Sequence, residues 1–173
     1  MSAQGNALGN LIKPIEPCKG GLTMPQSIAK NTLHLIFSTK NREPFLRKSI
    51  RNNFHAYAAT VLKNMKCPAL IINSVDDHVH ILFTLHRTVS LSSTVGDLKS
   101  SSSKWLKTQS ADLTGFAWQT GFGAFSVSES NIEATRIYIA NQEAHHRTIP
   151  FQDEFRRFLV KHNIEYDERY LWD

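Results

Sequence analysis

The sequence between residues 75 and 83 reads Val-Asp-Asp-His-Val-His-Ile-Leu-Phe. This run predicts a β-strand, and residues i and i+2 of a strand point to the same face. His78 and His80 therefore share one face, where two imidazoles can hold one metal ion from the same side. Asp76-Asp77 is a turn dipeptide after another apolar run, so the stretch predicts a β-hairpin. On their own, two such histidines more often bond a carbonyl group or water.

Hydrophobic patterns on both sides of this hairpin predict the remaining elements. Strands are predicted at 31–39, 69–75 and 78–85, and residues 116–127, which contain two glycines, predict a broken strand or a short hairpin. Helices are predicted at 45–66, 90–108, 130–145 and 151–162. Ser130 and Glu133 have the spacing of a capping box at the start of the third helix. Residues 164–173 are predicted to form an extended tail. The first six elements follow the order βαββαβ, so we expect a ferredoxin-like α+β fold, an antiparallel sheet with helices on one face. Two C-terminal helices follow.

The composition is typical of a folded protein with one domain. The chain has 173 residues, of which 41% are hydrophobic and 20% are charged. Residues 1–23 lack periodicity and predict a flexible extension before a single domain at 24–173. No apolar run is long enough for a bilayer, and no signal peptide is recognisable. Cys18 and Cys67 match no disulfide framework, which is typical of a reducing cytoplasm.

A tyrosine and a glutamine further along the chain extend the histidine pattern. Tyr138 and Gln142 lie four residues apart in a predicted helix, which places both on one face. The Tyr138 oxygen could attack phosphorus, and the Gln142 amide oxygen could complete a set of metal ligands. These are the groups needed to break a phosphodiester by covalent catalysis. A core tyrosine and a surface glutamine are the structural alternatives.

The other histidines and the turn aspartates are interpreted as structural. His145 and His146 are adjacent, so on a helix their rings point about 100° apart and we expect a helix C-terminus rather than a shared metal. His34 is interpreted as a structural strand residue. Asp76 or Asp77 either orients a histidine ring or only forms the turn. No Ser/His/Asp spacing, Walker loop or dinucleotide fingerprint occurs.

Five ordered stretches together resemble the HUH single-tyrosine transposases of bacterial insertion sequences, the "transposase A" type, and their repeat-associated tyrosine transposase relatives. HUH denotes histidine, hydrophobic residue, histidine, here His78-Val79-His80. The stretches are 33–42, 77–82, 118–122, 138–146 and 165–172. The likeness extends from about residue 24 to the C-terminus.

The resemblance implies a ferredoxin-like fold, a homodimer and action on single-stranded DNA folded into hairpins at element ends. It implies Tyr138 as the nucleophile, with His78, His80 and Gln142 as ligands of a divalent cation, Mg²⁺ or Mn²⁺. Tyr138 would form a 5′-phosphotyrosine and release a 3′-hydroxyl, without ATP. The family also builds each active site from both subunits, an arrangement that the sequence leaves open here.

The net charge of +5 is consistent with an anionic partner or with a solvated basic surface. Candidate contacts to the DNA backbone are Lys40, Arg42, Lys104 and Lys107. We expect the protein in the bacterial cytoplasm, at the nucleoid when bound to DNA.

Three alternatives stay open. One is a domesticated relative that processes repetitive palindromic elements with the same catalytic groups. Another is a nucleic-acid binding module without catalysis, although the sheet aromatics Phe37 and Phe83 lie on strands that are predicted to be buried. The third is a metal-dependent hydrolase with an activated water, which would leave free 5′-phosphate ends.

Overall fold

The structure, a computed structural model, describes residues 28–172 and is built on one antiparallel sheet. Its strands are β1 (Asn31–Ser38), β2 (Ala69–Ser74), β3 (His78–Leu85) and β4 (Gly123–Ser126). The spatial order is β2-β3-β1-β4. This order and the βαββαβ succession confirm the predicted ferredoxin-like α+β fold. The predicted extension at 1–23 lies outside the described residues.

Two long helices cover one face of the sheet. They are α1 (Lys48–Asn64) and α2 (Leu91–Lys107). The strand side chains that meet them are buried, among them Leu35, Phe37, Val79, Ile81 and Phe83. Because Phe37 and Phe83 are enclosed beneath these helices, neither ring is available to stack on a nucleic-acid base.

Three shorter helices lie against the opposite face. They are α3 (Ile132–Ala140), α4 (Gln142–His145) and α5 (Phe151–Lys161). A second apolar cluster joins α5 to β1 and β4, and its buried members are Ile36, Phe125, Phe151, Phe155 and Leu159. The alternation along a strand therefore turns one set of side chains towards α1 and α2 and the other set, including His78 and His80, towards α3 to α5.

The hairpin that carries the histidines is joined to β1 by antiparallel pairing. Residues of β1 and β3 pair antiparallel, with Ser38 opposite His78 and Ile36 opposite His80. At the turn, the Arg51 guanidinium bonds Asp76 and also donates to the carbonyl oxygen of Leu46 at 2.7 Å. These contacts fix the start of β3 beside the end of β1.

Two predicted helix starts differ from the structure, and one predicted interruption of a strand is confirmed. The first helix begins at Lys48 rather than at residue 45, because the Leu46 amide donates to the Asp76 carbonyl at 2.8 Å and Arg47 is extended. The capping box is wrong, because a 3₁₀ turn (Glu129–Asn131) precedes α3 and Ser130 instead contacts Ser128. The predicted strand at 116–127 is indeed broken, with only β4 and a Thr39–Trp118 bridge.

The C-terminal segment after α5 is ordered against the second apolar cluster. It contains a 3₁₀ turn (Glu168–Tyr170) where we expected an extended tail, and the Trp172 ring contacts Phe151 and Phe155. Within residues 28–172, none of the helices combines the length and apolar character needed to cross a bilayer.

Candidate active site

The predicted histidine pair is buried on the sheet face that α3, α4 and α5 cover. His78 is 1% exposed and His80 is fully buried, and their ring centroids lie 5.2 Å apart. The strand geometry thus places both rings side by side, as the alternation of β3 predicts.

Each ring of the pair is oriented through its Nδ1 atom. Asp77 Oδ1 lies 2.7 Å from His78 Nδ1, and because a carboxylate can only accept, the hydrogen belongs on Nδ1. His34 Nε2 lies 2.9 Å from His80 Nδ1. A hydrogen on His80 Nδ1 would be accepted by His34 and would leave His80 Nε2, which has no hydrogen bond of its own, to bind a cation. With this placement of the hydrogens, Nε2 of each ring has a lone pair that can bind a metal ion.

Two residues outside β3 complete the cluster. His146 Nε2 is 2.8 Å from His78 Nε2, and its Nδ1 is 2.9 Å from the Ile149 carbonyl oxygen, which accepts from it. Glu154 Oε2 lies 3.4 Å from His80 Nε2 and 3.2 Å from His146 Nε2. One ligand atom from each of His78, His80, His146 and Glu154 falls within 4.8 Å of the others.

Glu154 joins this cluster to the predicted nucleophile. Its side chain is 3% exposed, on the face of α5 that meets the sheet. Oε1 accepts a hydrogen bond from the Tyr138 hydroxyl and another from Gln142 Nε2 at 3.1 Å. The two oxygens of one carboxylate therefore have different neighbours: His80 and His146 lie beside Oε2, whereas Tyr138, Gln142 and His145 lie beside Oε1.

Tyr138 and Gln142 come together, although not on one continuous helix. Asn141 interrupts the predicted helix, so that Tyr138 lies on α3 and Gln142 begins α4. The Asn73 side-chain amide donates to the carbonyl oxygens of Ile139 at 2.8 Å and Ala140 at 3.1 Å. Asn73 thereby satisfies carbonyls that a continuing helix would have used. The prediction of one continuous helix was wrong.

The charge state of the site follows from burial and from these contacts. Burial lowers the pKa of His78 to about 4, against the opposing effect of Asp77, so the ring is neutral near pH 7. Burial, reinforced by the hydrogen bond to Glu154, raises the pKa of Tyr138. Burial disfavours the charged form of Glu154, but the close contacts of its carboxylate with His146, His80 and the Tyr138 hydroxyl outweigh it and lower its pKa. Glu154 is thus an anion, His78 is neutral and Tyr138 is a protonated phenol, whereas burial of His146 is outweighed by the Glu154 carboxylate and the Ile149 carbonyl oxygen, which raise the pKa of His146.

The residues present fit a divalent cation. Three buried side-chain atoms have no hydrogen-bond partner within the described residues: His80 Nε2, Gln142 Oε1 and Glu154 Oε2. Buried polar atoms without partners are costly, and these three are all potential metal ligands. Imidazole nitrogens with carboxylate and amide oxygens suit a first-row ion such as Mn²⁺ better than an all-oxygen site would.

The four predicted DNA-contact residues fall into two groups. Lys40 and Arg42 are exposed in a 3₁₀ turn directly after β1. This turn lies at the end of the sheet where His78 begins β3. Lys104 and Lys107 are exposed at the end of α2, on the far side of the sheet from the histidines. Of these four residues, the structure brings Lys40 and Arg42 alone to the end of the sheet near the site.

Sequence reasoning did not place Glu154, His146 and His34 at the candidate site. His145 and His146 do end α4, as predicted, but the His146 ring also enters the cluster. Glu154 had a readable signal: it shares the inward face of α5 with Phe151 and Phe155, and a carboxylate on such a face needs partners. The other two depend on contacts between distant segments.

The sequence matches a known family over most of this fold. A family model described as "Transposase IS200 like" matches residues 27–142. The chain belongs to the IS200-like transposase family. The match includes Tyr138 and both β3 histidines, whereas His146 and Glu154 lie beyond it. No curated protein matches this transposase.

Two solved structures share the fold. One is a protein from Deinococcus radiodurans assigned as a transposase, 21% identical, with a TM-score of 0.54 over 72% of this chain and 98% of that chain. The other is a REP-associated tyrosine transposase bound to a REP hairpin, 15% identical, with a TM-score of 0.54 over 75% of this chain and 76% of that chain. At these identities the likeness concerns the fold alone.

Proposed function

We propose that this transposase nicks and rejoins single-stranded DNA through a 5′-phosphotyrosine on Tyr138. The observation that carries the proposal is the shared contact at Glu154, where the Tyr138 hydroxyl meets one carboxylate oxygen and the histidine cluster meets the other. A nucleophile beside a set of metal ligands is the arrangement that phosphoryl transfer requires.

The proposed metal ligands are His78, His80, His146 and Glu154, with the Gln142 amide oxygen as a further candidate. A divalent cation held there, Mg²⁺ or Mn²⁺, would neutralise charge on the scissile phosphate. The hydrogen bond that Asp77 accepts from His78 Nδ1, and the contact of His34 with His80 Nδ1, hold two of the rings with Nε2 towards the ligand set.

The chain's own residues account for the proton and the new bond. Tyr138 Oη attacks phosphorus in line, and the bond from phosphorus to the 3′ oxygen breaks. Glu154 Oε1 already accepts the Tyr138 hydrogen and receives the proton as the attack proceeds. The released 3′-hydroxyl gains a proton by way of Glu154 and solvent. Because the phosphodiester energy is kept in the tyrosine ester, a second 3′-hydroxyl can reverse the step.

The proposed substrate is a DNA hairpin with a single-stranded flank. One structural relative is bound to a REP hairpin, which supports this class of substrate. Lys40 and Arg42 are exposed where a DNA strand approaching His78 would meet them, so we propose that they contact the DNA backbone. Lys104 and Lys107 lie on the other face of the sheet and would contact a more distant part of the DNA. The hairpin belongs either to the ends of a mobile element or to a repetitive palindromic sequence, and we place the reaction in the cytoplasm.

We further propose a homodimer. Within one chain Tyr138 already reaches Glu154 and the histidines, so a single copy can hold a complete set of groups. Mixing Tyr138→Phe with His80→Ala separates the two arrangements. Activity restored by mixing would show that subunits share sites, and no restoration would favour sites within one chain. Light scattering reports the oligomeric state.

The function is tested with labelled hairpins from the ends and flanks of the gene's own locus. The protein is incubated with each strand and Mg²⁺, Mn²⁺ or EDTA, and denaturing gels are scanned for a protein–DNA adduct. We expect an adduct that needs metal and is lost in Tyr138→Phe. Tyr166→Phe, which changes an exposed tyrosine outside the site, is the matched control and should retain the adduct.

Two other outcomes would replace this proposal. Cleavage that leaves free 5′-phosphate ends and persists in Tyr138→Phe would indicate an activated water. Hairpin binding with no cleavage under any metal condition would indicate a binding module.

The ligand set has its own test, which does not depend on activity. Mn²⁺ binding is measured by calorimetry on the wild type and on Glu154→Gln, which keeps the shape of the side chain but removes its charge. We expect at least about tenfold weaker binding in the variant. Equal affinity in both proteins would exclude Glu154 as a ligand.

A further inference from the structure

A cavity of about 410 Å³ opens between α3 and α5 beside the nucleophile. Its floor is formed by His34 of β1 and Phe125 of β4, and Tyr138 and Glu154 lie at its inner end. The cavity is separate from the cluster of His78, His80 and His146, none of which lines it. Its size falls in the range of about 300–1,000 Å³ that is usual for small-molecule sites.

Aromatic rings form much of the cavity wall. Phe158, which is half-buried, stacks against Phe125 with ring centroids 5.2 Å apart and an interplanar angle of 25°. The His162 ring lies 4.7 Å from Phe125, and the Tyr138 ring lies edge-on to Phe158 at 5.8 Å. Flat rings of this kind are the surfaces on which unpaired bases stack in proteins that bind single strands.

Two basic side chains line the same cavity. Arg157 and Lys161 line it from successive turns of α5, and both are exposed. Within residues 28–172 neither forms a salt bridge with a carboxylate, whereas the neighbouring Arg156 is paired with Asp153 and Glu168. Cations that no described carboxylate neutralises, placed beside an aromatic wall, suit a ligand with both a flat ring and a phosphate.

We propose that this cavity receives one unpaired nucleotide next to the scissile phosphate, with its base on Phe158 and its phosphate at Arg157 and Lys161. The inference rests on the proposed function, because only a strand that reaches Tyr138 has a reason to enter here. The cavity would thus set which nucleotide beside the cleavage point is accepted, and it would hold the backbone in position for the attack.

The test uses single-stranded hairpin oligonucleotides in which 2-aminopurine replaces one nucleotide at a time around the cleavage point. Fluorescence is measured with the Tyr138→Phe variant, so that binding is read without cleavage. We expect quenching at one position, and about tenfold weaker binding when that nucleotide is abasic. Ala134→Phe, which places a ring in the cavity from α3, should abolish the quenching. Ala56→Phe, on exposed surface of α1, is the matched control.

The outcomes separate this inference from the proposed function. If the wild-type protein forms an adduct but 2-aminopurine is quenched at no position, the cavity is not the nucleotide site. The same conclusion follows if the Ala134→Phe variant shows as much quenching as the Ala56→Phe control. If one position is quenched and Ala134→Phe removes the effect, the cavity assignment stands whether or not an adduct forms. Quenching at every position alike would indicate non-specific binding and would overturn the assignment.

Discussion

His34 Nε2 lies 2.9 Å from His80 Nδ1, and both rings are buried. The two residues are 46 positions apart in the chain and meet because β1 and β3 pair antiparallel. A hydrogen on His80 Nδ1 would leave the His80 Nε2 lone pair to bind a cation held between Glu154 and the other histidines. Burial lowers the pKa of His34 well below its ordinary value, so the ring stays neutral and able to accept this hydrogen.

Replacing His34 with phenylalanine should weaken metal binding without removing a ligand. The His34→Phe ring would fill the same space but could not accept the His80 hydrogen. We expect Mn²⁺ affinity, measured by calorimetry, to fall by about 10–100-fold. His55→Gln, which changes a histidine that contacts Ser74 on the other side of the sheet, should bind Mn²⁺ like the wild type. Unchanged affinity in His34→Phe would refute the orienting role.

Removing the Asn73 amide should loosen the helix that carries Tyr138. In Asn73→Ala the carbonyls of Ile139 and Ala140 lose their donor, at a cost of about 1–2 kcal/mol. Hydrogen exchange followed by mass spectrometry should show faster exchange in residues 132–146 and little change in β1 or β3. Asn52→Ala, at an exposed position of α1, provides the comparison. Equal protection of 132–146 in both variants would contradict this account.

Gly123 should not tolerate a side chain, whereas Gly121 should. A Cβ at residue 123 would lie 2.6 Å from Phe155 Cε2 and 3.1 Å from Phe125 Cε2. At residue 121 the nearest atom, Gln119 Nε2, would be 3.7 Å away. Urea unfolding should therefore show Gly123→Ala to be less stable by about 1–3 kcal/mol, and Gly121→Ala to be within about 0.5 kcal/mol of wild type. Equal stability of the two variants would contradict the packing.

His55 should make the protein less stable in mild acid. Burial lowers its pKa from 6.5 to about 4, so between these values the unfolded chain binds more protons than the folded one. Stability is therefore lost as the pH falls through this window. On going from about pH 7.5 to about pH 5, His55→Gln should lose about 1 kcal/mol less stability than wild type in urea unfolding. Parallel losses in both proteins would show that His55 does not contribute.

Local patterns were sufficient to predict most of the fold. The β3 strand and the helices of the first face follow from hydrophobic spacing, which is a property of neighbouring residues. The break at Asn141 could not be predicted in this way, because it depends on Asn73, 68 positions earlier along the chain. The start of α1 likewise depends on a contact between Leu46 and Asp76.

The positions of the candidate residues were predicted where they depend on local spacing. His78 and His80 were placed together by strand alternation, and Tyr138 and Gln142 do meet, although through Glu154 rather than along one helix. Glu154 itself could be suspected only as a carboxylate on an apolar face. Its partners come from three other elements, and the helical pattern of α5 carries no information about them.

The most direct test of the account is to search the reacted protein for a residue linked to DNA. The protein is allowed to react with a hairpin strand in Mn²⁺, digested with nuclease and trypsin, and examined by tandem mass spectrometry. The account predicts a nucleotide joined through its 5′-phosphate to Tyr138. An unmodified Tyr138 peptide together with cleaved DNA, or a nucleotide on a different residue, would contradict it.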